Sequence, residues 1–132
     1  MSERGFTDSA KSPLSWIAAL LLAGCAIPEA HGDRTRSEFI RPEPEVLGQA
    51  SNVGLAYIPA LRKAEHGDHA ALVQLINFSP QTDAAGALAH GWVLLELRRI
   101  VGPAEFSAAL RHASEAGRES AARIMRVAST YR

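Results

Sequence analysis

From Val53 to Ala128 the apolar side chains recur every three or four residues, and no stretch alternates apolar with polar positions for long enough to make a strand. A chain patterned this way buries its apolar stripes by packing helix on helix. The turn residues divide the pattern into segments. Val53, Tyr57, Ala60, Leu61 and Ala64 form one stripe, with Ser51 or Asn52 as its cap. Pro59 falls inside it, so this helix is expected either to kink or to begin there. Gly67 stops it, and Asp68 caps a second helix carrying Leu72, Leu75 and Ile76. Asn77 to Pro80 closes the second helix. A third runs from Thr82 or Asp83 to Val101.

That third segment is apolar around most of its circumference: Leu88, Trp92, Val93, Leu94, Leu95, Leu97, Ile100 and Val101 leave little polar face. Such a helix belongs at the centre of a bundle. Gly86 and Gly91 would let a neighbour approach it closely, and Arg98 and Arg99 suit the negative end of its dipole. Gly102-Pro103 is a stop followed by a proline in the first helical position, where it is tolerated. Phe106, Ala109, Leu110 and Ala113 then define a fourth helix that Gly117 is expected to end. Ala121, Ile124, Met125 and Ala128 define a fifth, with Glu119, Arg123, Arg126 and Thr130 on its outer face. The expected fold class is all-α, a small bundle of four or five short helices, with Leu95 and Phe106 as core positions.

The N-terminal part differs in character. Leu14 to Gly24 is an uncharged run of 11 residues ending at Cys25, the one cysteine of the chain. It is shorter than the roughly 20 apolar residues a transmembrane helix needs. It fits the apolar region of a secretory signal, about 7–15 residues long. Arg4 and Lys11 precede it, balanced by Glu3 and Asp8. Leu22-Ala23-Gly24-Cys25 resembles the lipobox of bacterial lipoproteins. The resemblance implies that the Cys25 thiol takes a diacylglyceryl group, that the chain is cut before Cys25, and that membrane lipid is one partner. Several acyl chains would anchor firmly where one binds only marginally. Ala26, in place of aspartate, points in this family to the outer membrane, facing the periplasm. Residues 1–24 are then a signal peptide, 25–49 a flexible tether rich in proline and mixed charge, and 50–132 the helical domain.

Two further resemblances concern the helical part. Pro59 to Ile76 resembles a single ankyrin unit, but nothing similar follows one repeat period later, so a lone helical hairpin is expected. Residues 91–128 are similar to an uncharacterised family of small bacterial, phage and plasmid proteins. Gly91, Leu94, Leu95, Glu96, Arg98, Glu105, Phe106, Leu110, Ser120, Ala121, Met125 and Ala128 match its spacing, whereas Pro103-Ala104 replaces its His-Gly pair and Ala109 its tryptophan. That resemblance implies a cytoplasmic role associated with nucleic acid.

Charge bears on the choice. The chain carries no net charge, which disfavours a wholly electrostatic nucleic-acid binder. The charge is nevertheless uneven, because residues 98–132 hold seven basic and three acidic side chains. Arg118, Arg123 and Arg126 are the candidate partner- or nucleic-acid-binding residues, the latter through a hairpin joined at Gly117 that enters a major groove. Glu65, His66, Asp68 and His69 cluster at one turn but lack any metal-site spacing. His90 and His112 have no evident partner in the sequence. Glu96 is expected to pair with Arg99 or Arg98. No nucleophile elbow and no phosphate loop is present. The expectation is a non-enzyme without cofactor or metal: a lipid-anchored helical module that binds an unknown protein at the envelope. The alternative is a cytoplasmic, helix-turn-helix-like DNA-binding accessory protein.

Overall fold

A computed structural model describes residues 39–131. The expected signal peptide, Cys25 and the tether as far as residue 38 lie outside the described residues. Among the described residues there are six α-helices, one short 3-10 turn and no strand. The helices are α1 (Pro44–Asn52), α2 (Tyr57–Glu65), α3 (His69–Phe78), α4 (Ala84–Val101), α5 (Pro103–His112) and α6 (Glu115–Thr130), with the 3-10 turn Ser79–Gln81 between α3 and α4.

The one helix that periodicity misses is α1, which replaces the last part of the expected tether, so that residues before 50 belong to the packed region and Ile40 already packs against the core. Pro44 is tolerated because it opens the helix, where its missing N–H has no partner to lose. Val46 and Ala50, four residues apart, are fully buried. A nine-residue helix is marginal on its own. Packing against α4 and α2 supplies its stability. Gln49 ties it to the next layer by donating to the Asp83 carboxylate and accepting from the Asp83 N–H at 3.2 Å.

The chain then follows its turn residues. Gly54 takes a φ of 73° after α1, and Val53, expected on the core stripe, is 50 % exposed at that turn. Pro59 lies in the first turn of α2 and introduces no break. Gly67 takes a φ of 86°, and the Asp68 N–H donates to Lys63 O at 3.0 Å, closing α2. Asp68 caps α3 by accepting from Ala71 N–H at 2.8 Å, as its position predicts. Helices α2 and α3 form the lone hairpin. Asp83 caps α4 through Gly86 N–H at 3.1 Å. That bond, then the Gln49 amide, holds the Asp83 carboxyl below its ordinary range.

Helix α4 is central and touches α1, α2, α5 and α6. Its closest neighbour is α6. A Cβ placed on Gly91 would lie 2.7 Å from Ile124 O and 2.9 Å from the Ala128 Cβ, so only glycine permits this approach. Trp92 completes the contact by donating its indole N–H to Ala128 O at 3.2 Å. Phe106, Ala109 and Ala113 from α5 and its end, and Ala121, Ile124 and Ala128 from α6, are buried, as their stripes predict. Leu95 is only half-buried: α4 turns that position towards the gap between α5 and α6.

Gly117 does not end the α5 stripe. Helix α5 stops at His112, Ser114 caps α6 through Gly117 N–H at 3.0 Å, and Gly117 lies buried inside the first turn of α6. The Ser114 N–H donates to the Asn77 side chain at 2.8 Å, and a Cβ on Gly117 would come within 2.6 Å of the same Asn77 oxygen. The glycine is therefore required by packing on the end of α3 and not by a turn.

Candidate functional site

Helix α5 packs on α3 and α4, as does α6, and a groove is left between them. Its floor is Leu95 from α4, Phe106 and Leu110 from α5, and Met125 from α6. Arg98, Arg126, Ser107 and Ser129 also line it, and no acidic side chain among the described residues does. The groove encloses about 370 Å³, within the range of small-ligand and peptide-anchor sites. The arrangement offers apolar contact below and cationic hydrogen-bond donors above. That combination suits an anionic, amphipathic occupant.

The three predicted arginines do not act together. Arg118 donates to Ala113 O at 3.2 Å and so satisfies a carbonyl just past the end of α5. Arg123 donates to the Ser120 hydroxyl at 3.2 Å. Of the three, Arg126 alone lines the groove, together with Arg98, which the sequence places merely at a helix end. The hairpin joint expected at Gly117 lies instead at Ala113-Ser114.

No protein-family description, curated protein or solved structure matches this chain.

The turn cluster of Glu65, His66, Asp68 and His69 is divided among four separate tasks. Glu65 accepts from Arg62 at 2.8 Å and from the Ile40 N–H at 2.8 Å, while Arg62 also donates to Ile40 O at 3.1 Å. These two side chains clamp the backbone of the arm that leads into α1, and the Phe39 ring lies 4.7 Å from the Arg62 guanidinium. His66 donates its Nδ1–H to Arg62 O at 2.6 Å. Asp68 is a cap. His69 reaches across to α5, where its Nδ1 meets Glu105 at 2.7 Å and its Nε2 meets His112 Nδ1 at 2.7 Å. Glu96 pairs with Arg99 at 2.8 Å, as expected from their spacing.

His90 also has partners that the sequence hides. The Leu75 carbonyl can only accept, so His90 Nε2 carries the proton and donates to it at 3.0 Å. His90 Nδ1 is then an acceptor for the Tyr57 hydroxyl at 2.6 Å. Phe78 packs edge-on against both rings. Burial pushes the His90 imidazole down to about 4, partly opposed by the Leu75 carbonyl, and pushes the Tyr57 phenol well above its ordinary range. This pair is buried among α2, α3 and α4, where it joins three helices.

Proposed function

We propose that the chain is a non-enzymatic, lipid-anchored helical module of the bacterial envelope that docks an acidic, amphipathic segment of a partner protein in the α4–α5–α6 groove. The observation that carries the reading is the groove itself. Leu95, Phe106, Leu110 and Met125 provide apolar contact, and Arg98 and Arg126 provide charge without an acidic neighbour in the lining. Arginine is among the residues that most often carry binding energy in protein interfaces. The anchor rests on the sequence: the uncharged run Leu14 to Gly24 and the lipobox-like residues ending at Cys25. On this reading attachment comes from acyl chains on Cys25; no helix among the described residues is long and apolar enough to cross a membrane.

The test has two arms. Intact mass of the chain from its native membrane should show residues 1–24 removed and acyl mass added; a product starting at Met1 without that mass defeats the anchor. A photo-crosslinking residue at Ser107 or Ser129, but not at Lys63, should give one discrete protein adduct in living cells. Arg98→Glu with Arg126→Glu should abolish it. An adduct to nucleic acid would instead establish the DNA-binding alternative.

A further inference from the structure

His69 is the first residue of α3 and His112 the last of α5, and these two helices pack together. The two imidazoles are thus placed by regular backbone rather than by loops. Their nitrogens face one another: His69 Nε2 is 2.7 Å from His112 Nδ1, with ring centroids 4.9 Å apart and planes at 73°. On the far side of His69, Nδ1 is 2.7 Å from a Glu105 oxygen. His69 and Glu105 side chains are 36 % and 43 % exposed, so the cluster is open to solvent.

We propose that His69 and His112 form a surface site for a divalent transition-metal ion such as Zn²⁺ or Cu²⁺, with Glu105 as its outer carboxylate. The hydrogen-bond pattern supplies the argument. A carboxylate accepts, so Glu105 fixes the His69 proton on Nδ1 and leaves the Nε2 lone pair pointing at His112. This carboxylate–histidine arrangement is the one that orients metal-ligating imidazoles and raises their basicity. In the metal-free pair His112 fills the space by donating its own Nδ1–H to that lone pair. A metal takes the place of this single proton, which moves to His112 Nε2 on the solvent side. Both rings then remain neutral, and the neutral pair releases no proton. Metal–nitrogen bonds of about 2.0–2.1 Å at a tetrahedral angle need the nitrogens about 3.3 Å apart. The rings must therefore separate by roughly 0.6 Å, which two partly exposed side chains accommodate by small rotations. Among the described residues no group of three or more His, Cys, Asp or Glu is arranged to hold a metal. The remaining coordination positions are thus open to water or to a ligand from another molecule.

The site is independent of the groove reading. Its test is titration of ZnCl₂ into the full chain bearing Cys25→Ser, without an affinity tag, followed by calorimetry and by imidazole proton NMR. One Zn²⁺ per chain is expected, with the His69 and His112 ring signals shifting and those of His66 unmoved. His69→Ala and His112→Ala should each weaken binding at least tenfold, Glu105→Gln about tenfold, and His66→Ala not at all. Unchanged circular dichroism melts of the variants without metal would show that the fold is intact. His112→Gln, which keeps a hydrogen-bonding side chain, replaces His112→Ala if that melt falls. No saturable binding, binding that survives both histidine changes, or loss from only one of them would overturn the proposal.

Discussion

Acid should loosen this bundle through a single buried side chain. His90 is neutral in the fold, where burial holds its imidazole at about 4, against an ordinary value of 6.5. In the unfolded chain it gains a proton as the pH drops below 6.5, while the folded chain stays neutral until about 4. The unfolded state therefore binds more protons in that window, and stability falls as pH falls. Above the unfolded value the contribution is fully present. A tenfold difference in proton affinity is worth about 1.36 kcal/mol, so the complete loss is about 3 kcal/mol, of which about 2 kcal/mol is gone by about pH 5. Protonation also turns Nδ1 into a donor, so it can no longer accept from Tyr57. Urea unfolding near neutral pH and again near pH ~5, followed by far-ultraviolet circular dichroism, measures the loss. His90→Gln is less stable at both pH values but cannot titrate, so it should lose about 2 kcal/mol less than the wild type between them. The other four histidines remain in both proteins and cancel. Equal losses in wild type and variant would refute the reasoning.

Three other outcomes follow from the packing. Gly91→Ala should destabilise the protein by about 1–3 kcal/mol despite the roughly 1 kcal/mol that alanine gains in a free helix, because the new methyl meets Ile124 O; a stabilised thermal melt would show that α4 and α6 do not touch there. Phe106→Ala should cost about 3–5 kcal/mol and the half-buried Leu95→Ala about 1–2 kcal/mol, and a chemical-denaturation series that reversed this order would show that Leu95 is the more deeply packed of the two. Val46→Ala should cost about 1.5–3 kcal/mol, and limited proteolysis should leave a fragment that keeps α1; cleavage near residue 50 with an unchanged core would show that α1 does not belong to the bundle.

The candidate sites are less legible in the sequence than the helices. Arg126 stands out by its charge, but Arg98, which lines the same groove, lies 28 residues earlier on another helix. His112 has no visible partner in the sequence because His69 is 43 residues away. The turn cluster around Gly67 is dense in polar groups, yet its members serve different tasks: a clamp, a turn bond, a cap and a reach to α5. Proximity along the chain indicates a shared site only where the backbone also turns the side chains towards one another.

Local pattern suffices for the class of the fold and most of its joints. Apolar spacing of three and four identifies α2 to α6, Asp68 and Asp83 mark helix starts, and Gly67 and Gly102-Pro103 mark stops, because caps and breakers act through bonds within a few residues. Three features arise only when the helices come together. α1 is a helix because its two buried side chains on nine residues count only when α4 is there to receive them. Gly117 is a packing residue because the nearest obstacle is Asn77 on another helix. The pairing of His90 with Tyr57, and of His69 with His112, depends on where whole helices cross and not on any local pattern.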